Sequence, residues 1–147
     1  MSNKPASLQV LEKLQLIRQR AVEETSGKLS QQKQLCQRYS NNIEALRALS
    51  VSSSGMAADA AQMNNQARFK ATIQRVIDWQ KQEEALASIE QQAIQRELVE
   101  HANREMTINV VMEQQKVAIR QALDRDQQKL TDGQAMQSWM RRRRSGQ

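Results

Sequence analysis

Few residues in this chain are equipped for covalent or metal chemistry. His101 is its one imidazole and Cys36 its one thiol. A metal centre or an activated nucleophile needs several such groups converging on one point. The composition therefore excludes His-based metal sites, His-dependent nucleophile schemes and an internal disulfide, and no Gly-rich phosphate loop occurs. Cys36 falls on an apolar helical row and reads as a small packing residue. His101 lies among Glu97, Glu100 and Glu105 and reads as a seam or surface residue rather than a proton switch.

The chemistry that remains is that of contact. Trp79 and Trp139 stand in a chain that is only 3% aromatic, and a large amphipathic ring on a thin helical scaffold is a natural anchor for a partner. Phe69, Thr72, Ile73, Val76, Ile77 and Trp79 form the most apolar stretch, facing Ile43, Leu46 and Leu49. Met136, Trp139 and Met140 precede Arg141, Arg142, Arg143 and Arg144, so that an adaptable apolar surface is followed by a cation cluster. Such a cluster suits an acidic protein surface, anionic lipid or nucleic acid, or is simply a solvated tail.

Long helices must position these groups. The chain has 147 residues, 39% of them hydrophobic, with four Gly and one Pro. That is too little apolar matter for a thick core, and the abundant Gln, Ala, Glu, Arg, Lys and Leu are residues that lose little freedom in a helix. In residues 6–49, positions seven apart read Leu8, Gln15, Val22, Leu29, Cys36, Ile43 and, beside them, Leu11, Arg18, Thr25, Gln32, Tyr39, Leu46. Leu14, Ala21, Leu35 and Leu49 are expected to broaden this stripe. Ser50, Val51, Ser52, Ser53, Ser54 and Gly55 form the one clear breaker, which predicts a turn over about residues 50–60. Helical pattern then runs over about residues 61–142, with rows Ile73, Ala87, Ile94, Ile108, Ala122 and Ile77, Leu98, Met112, Ile119, followed by a basic tail at 141–147.

These spacings predict an all-α fold: one domain over 1–147, two long helices in an antiparallel coiled-coil hairpin, the second helix longer and projecting as a stalk. At about 1.5 Å per residue the first helix is exhausted when the second reaches Glu105, if pairing runs outward from the turn. Residues 106–140 are then expected to project with Ile108, Met112, Ile119, Met136 and Trp139 uncovered. Two paired helices enclose no pocket, so neither an enzyme nor a small-molecule substrate or cofactor is expected. The formal charge is +6, of which the four-Arg run supplies four, leaving +2 for the rest. So balanced a body argues against a nucleic-acid groove along it. No apolar run is long enough for a signal peptide or membrane span, and a cytoplasmic location follows, without membrane insertion.

Residues 8–21, the segment Phe69-Lys70-Ala71-Thr72-Ile73-Gln74, and the ending Arg125, Gln128, Lys129, Asp132, Ala135, Met140, Arg141 resemble the FliJ family, coiled-coil proteins of the bacterial flagellar type III export apparatus. Gly133 and Gln137 depart from the family's pattern, which marks a divergent member, of a second or lateral flagellar system or of a virulence secretion system. The resemblance implies a non-enzymatic stalk whose paired helix ends enter a hexameric export ATPase ring while the hairpin end faces the membrane export gate, with export chaperones as further partners. It implies peripheral association with the inner membrane. On that reading Met136, Trp139, Met140, Arg141 and Arg142 meet the ATPase, and Leu46, Phe69, Val76 and Trp79 meet the gate. The competing readings are a generic coiled-coil scaffold or chaperone and a weak nucleic-acid binder acting through the Arg run.

Overall fold

The computed structural model describes residues 4–53, 55 and 59–146. Among them two helices occur, α1 over Ala6–Ser52 and α2 over Ala60–Ser145. The fold is all-α. Both Gly27 and Gly133 lie inside helices, and a Cβ placed on either would meet nothing within 4 Å. Neither glycine is therefore demanded by a close approach.

The helix ends differ in detail from the expected bounds, and local hydrogen bonds explain why. α1 runs past Leu49 because the serines serve its last carbonyls: Ser52 Oγ donates to Leu49 O at 3.0 Å, Ser53 N to Leu49 O at 3.1 Å and Ser53 Oγ to Ser50 O at 2.9 Å. Residues chosen as breakers here extend the helix by about a turn. α2 opens on an N-cap, Asp59, whose Oδ1 accepts from Gln62 N at 2.8 Å; a carboxylate there satisfies an orphan amide and complements the helix dipole. Of the expected turn, Ser54, Met56, Ala57 and Ala58 lie outside the described residues.

Contacts divide the chain into two compact units, one made of Met1–Gln19 with Asn103–Gln147, the other of Arg20–Ala102. In the unit Arg20–Ala102, Ile43 of α1 packs with Ile73 and Ile77 of α2, and Leu46 lies against them. Farther along, Gln32 Nε2 donates to the Ala87 carbonyl at 2.9 Å. Numbers fall on one helix as they rise on the other, so the pairing is antiparallel. Leu29, Ala87 and Ile94 are buried, as is Thr25, whose Oγ1 donates to Ala21 O at 2.8 Å. Every one of these lies on the heptad rows read from the sequence. Cys36 and His101, half-buried, lie on them too.

In the other unit, Leu8 and Met112 are buried, Gln15 Nε2 donates to Asn109 Oδ1 at 2.7 Å, and Ser7 Oγ reaches Gln115 Oε1 at 3.4 Å. Lys4, Pro5, Leu8, Lys116, Ile119, Arg120 and Leu123 line a shallow groove of about 320 Å³. This corrects the expectation that residues 106–140 project free of α1. Ile108 and Ile119 are half-buried and Met112 is buried, whereas residues 120–146 are all exposed. The free part of α2 therefore begins near residue 120.

Pairing does not start at the turn, and that is the reason. Leu46 and Ile43 meet Ile73 and Ile77, so the first turns of α2 precede the first contact with α1, and one of them donates from Gln66 Nε2 to Gly55 O at 3.0 Å. Each α1 residue consequently meets a partner farther along α2 than a count from the breaker gives. The second correction concerns width. Leu14, Leu35 and Leu49 are 38%, 36% and 48% exposed, so they do not enlarge the core. A helix with one partner buries two rows and no more.

Two substitutions test this packing. Ile77→Ala removes a side chain only 3% exposed and should destabilise the fold by about 2–3 kcal/mol. Gly27→Ala, in open space within a helix, should stabilise it by about 0.5–1 kcal/mol. Denaturant unfolding followed by circular dichroism reads both, and a destabilising Gly27→Ala would mean that the glycine has a role in bending α1.

Candidate interaction surfaces

In the unit Arg20–Ala102, the turns of α2 that carry Ile73 and Ile77 inward carry other apolar side chains outward. Val76 and Phe69, seven residues apart, flank the seam at 37% and 43% exposure, and Trp79 stands farther out at 55%. Leu46 is half-buried against the Ile cluster. Of the four residues expected to form the gate surface, three are therefore open and the fourth belongs partly to the core. Thr72 is exposed, but its Oγ1 donates to Arg68 O at 2.9 Å and is turned onto its own helix.

Sequence reasoning passed over Leu86 and Ile89, which are 62% and 64% exposed. Leu86 follows Trp79 by seven residues and shares its helical face. The signal was available: a large apolar residue off both seam rows, in register with the exposed Trp.

The other unit carries two surfaces on α2. One is a groove of about 400 Å³ lined by Val110, Glu113, Gln114, Val117, Ala118 and Gln121, on the side away from the seam rows. The other is the helix end, where Met136, Trp139 and Met140 are 62%, 57% and 49% exposed. Arg143 places its guanidinium 5.0 Å from the Trp139 ring centroid, within the range of a cation–π contact. Trp139, Met140, Arg143 and Arg144 line one open groove. Arg142, Arg143 and Arg144 occupy the last turn of α2, where positive charge offsets the partial negative charge of the helix C-terminus. The expected ATPase residues thus share one short stretch of free helix, and Arg143 joins them through its i+4 spacing from Trp139.

Among the described residues no group of three His, Cys, Asp or Glu could hold a metal ion. His101 has Nε2 3.5 Å from Glu97 Oε1, one turn away on the same helix, while its Nδ1 is buried without a partner. No described helix is long and apolar enough to cross a membrane.

Two paired helices, seams broken by Gln, Thr and His, and a free helix end carrying Trp and Arg leave the family as the remaining question. The family described as flagellar FliJ protein matches residues 8–144. The chain belongs to the FliJ family. No curated protein and no solved structure matches it. FliJ membership makes the chain a structural component of the flagellar export apparatus. The match takes in all three surfaces built above, the apolar turns around Trp79, the groove of Val110 and Val117, and the helix end as far as Arg144.

The burial pattern separates surface from core by mutation. Trp79→Ala should change the unfolding free energy by no more than about 0.5 kcal/mol, whereas Leu46→Ala, half-buried against the Ile cluster, should cost about 1–2 kcal/mol. Equal losses in chemical denaturation would assign Trp79 to the core.

Proposed function

We propose that this FliJ protein is a stalk that couples a hexameric export ATPase ring to the membrane export gate and binds export chaperones. The observation that carries the reading is the free end of α2: from residue 120 onward every described residue is exposed, yet the segment is helical and bears Met136, Trp139 and Met140. A stiff helix with large uncovered apolar side chains calls for a sleeve, and a ring with a central channel is one.

On this reading Met136, Trp139 and Met140 make adaptable contacts inside the ring, while Arg141 and Arg142 steer the helix toward acidic loops. Leu46, Phe69, Val76 and Trp79 form the gate-facing patch, with Leu46 half-buried against Ile43, Ile73 and Ile77 at its base. The protein works at the cytoplasmic face of the inner membrane, held there by its partners.

Deleting residues 134–147 should abolish stimulation and hexamerisation of the ATPase while gate binding persists, because the deletion touches neither the Ile cluster nor the Trp79 surface. ATPase assays at low salt and gate pull-downs with the same protein check this. Equal stimulation by the truncated and full chains would reject the assignment.

A further inference from the structure

We infer that the free end of α2 is an interfacial anchor for anionic phospholipid. Met136, Trp139, Met140 and Arg143 fall at i, i+3, i+4 and i+7, so they share one helical face, and the three apolar members are all about half exposed or more. Arg142 and Arg144 flank that face, and Arg141 lies on the far side of the same turns. After Asp132 the sequence contains no acidic residue, so the segment is purely cationic where its apolar side chains begin.

This combination fits a charged lipid surface better than the other polyanions. Trp settles at the level of lipid headgroups, and Met side chains enter the acyl boundary. Arg extends its apolar stem along the same surface and holds phosphate with its guanidinium. The 5.0 Å stacking of Arg143 over Trp139 keeps a cation beside the ring that would lie at the headgroup boundary. A nucleic acid would use the Arg cluster and could stack on Trp139, but it gives no role to Met136 and Met140, and the rest of the chain adds only +2 of charge. The free segment, residues 120–146, leaves about 40 Å of helix to reach a surface without disturbing the paired turns. The proposal does not rest on the stalk reading; ring and lipid would compete for the same side chains.

Flotation of the full-length chain with phosphatidylcholine vesicles, with and without about a third phosphatidylglycerol, tests it in the absence of any ATPase. Binding should require the anionic lipid, fall steeply with salt, and weaken about fivefold for each Arg141, Arg142, Arg143 or Arg144 changed to Gln. Trp139→Ala with Met140→Ala should cost about a further tenfold, and Trp139 emission, followed in a Trp79→Phe background, should shift to the blue on binding. These changes fall in exposed, unpaired helix, so helix content by circular dichroism should hold. Equal binding by the Trp139/Met140 variant, equal binding to neutral vesicles, or retention of single-stranded RNA with no retention by anionic vesicles would each overturn the assignment.

Discussion

Everything in this protein follows from how little two helices can hide from water. A helix with one partner covers two heptad rows, and the rest of its circumference stays wet. The buried apolar side chains are accordingly few and strung out: Leu8, Leu29, Ile43, Ile73, Ile77, Ala87, Ile94 and Met112. Among the described residues the pairing leaves no closed interior in which polar groups could converge. Any function must be written on the outside, in apolar side chains that the pairing leaves over.

The seam itself is built to hold without being strong. Ile43, Ile73 and Ile77 with Leu46 form a tight knot in the unit Arg20–Ala102. Beyond it polar residues enter the same rows. Gln32 and Thr25 find carbonyls, but Gln80 Oε1 and His101 Nδ1 are buried without partners, as Arg18 Nε is in the other unit. A buried polar atom left unpaired costs on the order of 1–3 kcal/mol, comparable to what one Ile contributes. Such positions penalise one alignment without favouring another apolar one, so register rests on the few Ile contacts and on side-chain bonds such as Gln15 to Asn109.

The seam rows could be read from sequence almost residue by residue because period seven is a property of the chain alone. Leu8 through Ile43 and Leu11 through Leu46 are the rows that turn inward, and their polar members Gln15, Arg18, Thr25 and Gln32 turn inward with them. What could not be read was alignment between the helices, which depends on where the first contact forms after the turn. Counting pairs outward from a turn over about residues 50–60 misjudged the free part of α2 by more than a dozen residues, since Leu46 waits for Ile73. The serines were misread for a related reason: the side-chain hydrogen bonds that break a helix elsewhere here continue one. Asp59 was overlooked as a cap because no hydrophobic pattern marks the start of α2. Of the candidate surfaces, the Trp139 end was legible from composition, whereas Leu86, Val110 and Val117 are marked only by their place off the seam rows, because an apolar residue is informative when it falls where burial does not.

The free end of α2 poses a last physical question, namely why it stays helical without a partner. An isolated helix of this length is marginal in water because nucleation is costly. Here the paired turns up to Ile119 have already formed the nucleus, so each later residue needs only the gain from propagation. The sequence favours that gain: Gln, Lys, Arg, Leu and Ala dominate, and Arg142, Arg143 and Arg144 oppose the dipole at the terminus. Gly133 is the weak link, costing about 1 kcal/mol against Ala, and it lies immediately before the turns that carry Met136 and Trp139. The end is thus held rigid by inheritance from the seam and loosened at one residue, so that its apolar face is presented at a distance from the paired helices while keeping freedom to adjust to whatever surface receives it.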